Sequence, residues 1–164
     1  MMVVTCCNSV VWGQQDVDVK FKELVSAAAK DIAVAEPDFR NPVSVKSHLQ
    51  WNSDKTLLAV MIKAKIMFGW HIYALVPKTQ PYIQSKLILE LPNGLTPMGD
   101  WELPAAFPYE QGNYTYQGEV VFIRYVKKQQ PEITENIIAG LYYQTCDIKQ
   151  CLPPRKETTE LQLK

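Results

Sequence analysis

Two cysteines near the C-terminal end, Cys146 and Cys151, are the residues of this 164-residue chain best placed to do chemistry. They lie in the run Tyr142-Tyr143-Gln144-Thr145-Cys146-Asp147-Ile148-Lys149-Gln150-Cys151-Leu152-Pro153-Pro154, between an apolar strand-like segment and a stiff double proline. A thiolate can attack a disulfide through a mixed-disulfide intermediate, and a second thiol close by resolves that intermediate. The same spacing also suits a small structural ring. A domain of this size buries about 68–70% of its unfolded surface and does not need a staple to fold. A ring this short adds only about 2 kcal/mol in the chain-entropy model. Spacing alone leaves both uses open.

Other chemistries are thinly represented. Cys6 and Cys7 are adjacent, a poor geometry for bonding to each other. Of the three full pairings that four cysteines allow, a single Cys146–Cys151 bridge with Cys6 and Cys7 outside the fold is the one expected. His48 and His71 are the only histidines. His48 falls on the polar phase of a strand, and His71 sits beside bulky neighbours, so each reads as structural. A metal site built from Cys146, Cys151 and His71 is under-specified, and no metal or cofactor is expected. Asp100, Glu102 and Glu110 cluster in an aromatic loop and read as solvated. No Gly-x-Ser-x-Gly elbow and no phosphate-cradling glycine loop occurs. The 17 basic and 17 acidic residues cancel, and no basic patch stands out. Nucleic-acid and polybasic membrane binding are therefore disfavoured.

The elements that must hold the cysteines are legible from periodicity. Phe21, Leu24, Val25, Ala28 and Ile32 recur at helical spacing, predicting an amphipathic helix over 18–32. Pro37 and Pro42 bracket an extended linker. From Val43 the period becomes two. Val43 to Trp51 and Leu58 to Ile66 read as an antiparallel pair with one buried face, separated by the turn Asn52-Ser53-Asp54. Further strands are expected at Trp70 to Val76, Lys86 to Leu91, Glu119 to Val126, Ile137 to Thr145 and Thr158 to Leu163. About seven short strands predict an all-β fold: an immunoglobulin-like antiparallel β-sandwich with a short N-terminal helix. Pro97 to Gly118 reads either as a long functional aromatic loop or as an extra hairpin covering an edge. No run reaches the roughly 18 apolar residues of a membrane helix.

The segment Tyr143 to Pro154 resembles the redox motif of the N-terminal domain of DsbD-type thiol:disulfide interchange proteins, where Tyr-Gln-x-Cys leads to a loop, a second Cys and Pro-Pro. Gly69-Trp70-His71-Ile72-Tyr73 is similar to that family's Gly-aromatic-aromatic-x-Tyr strand, and Pro92-Asn93-Gly94-Leu95 to its following turn. The resemblance extends over Val43 to Leu163 by order of elements. It implies a periplasmic, immunoglobulin-like domain that takes electrons from a thioredoxin-like domain. It passes them to oxidised periplasmic thiol proteins, such as disulfide isomerases or cytochrome c maturation factors. Carried over, Cys151 is the attacking thiol and Cys146 the resolving one. Tyr73 is the strand tyrosine beside the site, and Phe107 to Glu110, with Phe107 and Tyr109 foremost, is the shielding cap. The cysteine spacing is one residue shorter than in the best-known enterobacterial form, and the acidic-aromatic cap sequence is not reproduced.

The expected organisation is a tail or signal remnant over 1–17, a helix and linker over 18–42, and the β-sandwich over 43–164. The membrane and thioredoxin-like parts of such a relay would lie outside these residues. A monomer is the default. The competing expectation is a non-enzymatic immunoglobulin-like binding module with a structural disulfide. Bridges in such sandwiches usually join distant strands across the core, whereas this pair is local.

Overall fold

The computed structural model describes residues 17–163, so Cys6 and Cys7 lie outside the described residues. One helix and eleven strands follow in order: α1 (Val19–Asp31), β1 (Val43–Trp51), β2 (Leu57–Ile66), β3 (His71–Leu75), β4 (Lys86–Glu90), β5 (Leu95–Glu102), β6 (Phe107–Pro108), β7 (Tyr114–Tyr116), β8 (Glu119–Lys128), β9 (Ile137–Tyr143), β10 (Thr145–Cys146) and β11 (Arg155–Leu161). They form three antiparallel sheets ordered β1-β2-β8-β5, β10-β3-β7-β6 and β11-β9-β4. The strand count exceeds the seven expected for two reasons: the strand expected over Ile137 to Thr145 breaks at Gln144 into β9 and β10 of different sheets, and the region from Pro97 to Gly118 is not one irregular loop. Its start belongs to β5 on the edge of the first sheet, and its end forms the β6–β7 hairpin beside β3.

Alternation sorts β2 onto two faces. Leu58, Val60, Ile62 and Ala64 enter the main core with Phe122, Ile137, Leu141 and Tyr143. Ala59 and Met61 point the other way and meet Phe21, Val25, Ala29 and Tyr125. The expectation of a single buried face is thus corrected: α1 covers the second face, so β2 is buried on both sides. The helix presents Phe21, Val25 and Ala29 at four-residue intervals, while Leu24 stays exposed. Asp18 caps its first turn, accepting from the Lys20 amide. At the other end the buried Lys63 donates to the carbonyls of Ala29 and Lys30 (3.4 and 3.3 Å), which lack helical partners. Glu119 lies 3.3 Å from the same ammonium. That hydrogen bond from Lys63 holds its carboxyl below the ordinary range.

The sheets are joined across the core by packing and by Ser47, whose hydroxyl donates to the Ala139 carbonyl at 3.0 Å. That hydrogen bond offsets the cost of burying the hydroxyl. His48, on the opposite phase of β1, is exposed as expected.

Candidate active site

The chain leaves β9 at Gln144 and re-enters a different sheet as β10. Gln144 steers the crossing: its side-chain oxygen accepts from the Ile83 amide at 3.0 Å. Thr145 then pairs with Ile72 and Cys146 with His71 on β3. The buried Thr145 hydroxyl donates to the His71 carbonyl at 3.0 Å.

Beyond Cys146 the backbone folds into a tight hairpin. The Asp147 amide donates to the Gln150 carbonyl, and the Leu152 amide to the Thr145 carbonyl, both at 2.9 Å. These bonds flank Cys146 and Cys151 and make them a non-hydrogen-bonded antiparallel pair, the closer of the two cross-strand arrangements. Their Cα atoms are 4.0 Å apart and their sulfurs form a disulfide. The pairing is therefore supplied by backbone hydrogen bonds that do not involve sulfur. Asp147 braces the turn, one carboxylate oxygen accepting from the amides of Lys149 and Gln150 at 2.7 Å each. Those two backbone bonds hold its carboxyl below the ordinary aspartate value of 3.8, and the nearby Lys149 and His71 push it the same way to a smaller extent.

The two cysteines are unequal. Cys146 is 1% exposed, whereas Cys151 lies at the surface. Beside them runs a row of four rings. Tyr82 stacks on Tyr73 (4.7 Å between centroids), Tyr73 meets His71 edge-on (5.2 Å), and Tyr109 lies over His71 at 4.6 Å. The His71 Nε2 and Tyr73 hydroxyl are 3.3 Å apart. Burial raises the Tyr73 phenol well above its usual value, with Tyr82, Tyr109 and Glu110 adding to the effect, and burial raises Tyr109 as well. Both phenols therefore stay protonated at neutral pH. Burial pushes the His71 imidazole down, and Asp147 opposes that push.

Tyr109 is held by a compact turn. Its amide donates to the Asn113 carbonyl at 2.7 Å, while the buried Asn113 side chain donates to the Glu110 carbonyl at 2.8 Å. Gln111 adopts φ 56° within it. Of the residues singled out from sequence, Cys146, Cys151, Tyr73 and Tyr109 converge on this corner. Phe107 lies on β6 opposite Thr115 and is 53% exposed, outside the row of rings. Sequence reasoning passed over Tyr82, Asn113 and the involvement of His71. The available signal was that His71 and Tyr73 share one phase of a period-two strand. Among the described residues, no group of three His, Cys, Asp or Glu side chains is arranged to hold a metal ion. A cavity of about 410 Å³ lined by Trp101, Phe122, Arg124 and Leu141 includes neither cysteine.

Two measurements test this architecture. Asp147 has a depressed carboxyl pKa, so its contribution is present above the unfolded value and is lost as pH falls through the folded one. Lys149 and Gln150 amides should therefore be protected at neutral pH and lose that protection only as pH falls below the ordinary aspartate value of 3.8. Asp147→Asn should remove that acid transition, and an unaltered profile in the variant would contradict the bracing role. For the aromatic cover, Tyr109→Ala should speed reduction of the folded protein by glutathione, on the order of tenfold, because exchange rate follows access. An unchanged rate would remove Tyr109 as a shield.

The family model described as the N-terminal domain of thiol:disulfide interchange protein DsbD matches residues 39–163. No curated protein sequence matches the chain. Among solved structures, the N-terminal periplasmic domain of ScsB from Proteus mirabilis is similar at 16% identity and TM-score 0.53, over 79% of this chain and 50% of that one. The chain thus spans half the length of that relative. The yeast GGA1 GAE domain aligns at 15% identity and TM-score 0.44, over 80% of this chain and 98% of that one. A complex between the DsbD N-terminal and PilB N-terminal domains from Neisseria meningitidis aligns at 16% identity and TM-score 0.43, over 71% and 80%. Among the described residues, no helix is long and apolar enough to cross a membrane.

Proposed function

This chain belongs to the family of the N-terminal domain of DsbD-type thiol:disulfide interchange proteins, and on that premise we propose that it delivers electrons to oxidised thioredoxin-fold proteins in the periplasm. It is a thiol-disulfide exchange domain on an immunoglobulin-like sandwich. In the proposed direction it acts as a protein-disulfide reductase. Its reduced Cys151 thiolate attacks a partner disulfide, and Cys146 then displaces the partner by closing the Cys146–Cys151 bond. Its own dithiol is restored by a thioredoxin-like domain. Disulfide isomerases and cytochrome c maturation proteins are the electron acceptors this reading favours.

The observation that carries the reading is the asymmetry of a pre-paired hairpin: one cysteine at the surface, the other buried one strand inward. An attacking thiol must reach a partner's sulfur, and a resolving thiol need only reach its neighbour. Tyr73, Tyr109 and Phe107 are proposed to limit access by small oxidants. The proposed unit is the sandwich over 43–164, with 18–42 as its helical cover and linker. A structural staple would need no exposed sulfur and no backbone that holds the pair together when reduced.

The deciding experiment is the reduction potential of Cys146/Cys151 on folded protein against a dithiothreitol series. Electron relay requires a value above the roughly −300 mV below which structural disulfides of secreted proteins sit. A bond that opens only on unfolding would make it a staple.

A further inference from the structure

Resolution of the mixed disulfide poses a proton problem. Cys146 is buried, and Asp147 follows it directly in the chain with a carboxyl that stays ionised. Both features disfavour a free thiolate. Yet Cys146 must become one to attack the Cys151 sulfur. The cross-strand partner of Cys146 is His71. Directly opposed residues of an antiparallel pair project to the same face, with Cβ atoms about 4.5–5.5 Å apart. His71 is itself 5% exposed.

We propose that His71 accepts the proton of the Cys146 thiol when Cys146 resolves the mixed disulfide at Cys151. The inference rests on the electron-relay reading above and adds a proton acceptor to it. The groups facing His71 are Cys146 from β10, Asp147 from the hairpin, Tyr73 on its own strand and Tyr109 from the turn before β7, with Tyr82 and Glu110 behind those phenols. None of them is a cation. Burial keeps the resting imidazole neutral and so able to accept a proton, while the Asp147 carboxylate favours the imidazolium once formed. In the tautomer whose Nε2–H donates to the Tyr73 oxygen, Nδ1 carries the lone pair that accepts the thiol proton.

The step balances. The Cys151 sulfur begins bonded to the partner's sulfur. The Cys146 proton moves to His71, and the Cys146 thiolate attacks Cys151 Sγ. The Cys146–Cys151 bond forms as the Cys151–partner bond breaks. The partner sulfur leaves as a thiolate and takes the proton back from His71. Across the whole exchange two electrons pass from the domain's dithiol to the partner's disulfide.

The test uses oxidised glutathione as the disulfide, so it does not depend on any thioredoxin-fold partner. Reduced protein is mixed with it, quenched in acid at intervals and analysed by mass spectrometry. Appearance of the Cys151–glutathione adduct reports attack, and its decay to the intramolecular disulfide reports resolution. In the parent protein resolution should be nearly independent of pH between about 6.5 and 8.5. In His71→Gln and in the ring-preserving His71→Tyr, resolution at pH 7 should fall about 100-fold and then rise tenfold per pH unit, with attack unchanged. Unchanged resolution overturns the proposal. So does a slower rate that keeps the parent pH profile, which would mark a packing role only. Should either variant fail to fold, the Cys146 thiol is titrated by its thiolate absorbance in Cys151→Ala while His71 is followed by NMR. Mutually shifted titrations support the proposal, and independent ones overturn it. Dependence of resolution on His71 without any exchange with thioredoxin-fold proteins would sink the relay reading and leave this one standing.

Discussion

Reduced Cys146→Ser protein, mixed with an oxidised thioredoxin-fold protein, should accumulate a stable mixed disulfide through Cys151, while Cys151→Ser should form none. Turnover should be lost in both variants. The expectation follows from placement. Cys151 ends the hairpin at the surface, whereas Cys146 lies beneath, 1% exposed and paired to His71 on β3. Without the buried thiol, attack still occurs but nothing displaces the partner. Without the surface thiol, the remaining sulfur is screened by the fold. Non-reducing electrophoresis of the two mixtures reads the outcome directly. Trapping by Cys151→Ser instead would reverse the two roles. Trapping by neither would remove thiol exchange with such partners from the function of this chain.

Gly140→Ala should be the most disruptive small change in the sheet that feeds the cysteine hairpin. Gly140 lies mid-strand in β9, opposite Thr158 on β11 and Ile88 on β4. A Cβ there would sit 2.0 Å from the Glu157 carbonyl oxygen and 2.6 Å from the Thr158 Cα. Those are backbone atoms, so no side-chain rotation relieves the clash and β11 must move. Overpacking of this kind costs about 1–3 kcal/mol and occasionally more, and the upper end is expected here. The displacement also threatens the bond from the Tyr143 hydroxyl to Glu157 Oε1, 2.6 Å long, next to the exit into Gln144. Denaturant unfolding should show a lower midpoint, and amide exchange should accelerate along β11. A stability within about 0.5 kcal/mol of the parent, as at an ordinary surface site, would refute the packing argument.

The unequal environments of two nearly adjacent cysteines explain why the site was only partly legible in the chain. Alternation located β1, β2, β8 and β9, because the two-residue period of a strand is written locally in side-chain polarity. The 18–32 helix is legible from its own 3.6-residue period, and it forms as Val19–Asp31. What that helix covers was not visible. The second apolar face of β2, Ala59 and Met61, is buried only because α1 packs on it, a contact between segments that strand alternation does not encode. Likewise, β5 was obscured by Pro97 and by the register shift between Met98 and Glu102, which break the alternation, whereas the β6–β7 hairpin is one of the two readings of that region.

The order of residues already carries the available chemistry: two thiols at a spacing that closes a small ring, with two prolines at its exit. These are local properties, encoded within a few residues and read by short-range sterics and hydrogen bonding. Only the tertiary structure decided that Cys146 is buried and Cys151 is not, and that His71, Tyr73, Tyr82 and Tyr109 line up beside them. The Cys146–His71 pairing joins segments far apart in the chain, as does the neighbouring bond from Thr145 to His71 across 74 residues. Such a register is selected by which faces can be buried together across the whole sandwich, and no local pattern specifies it.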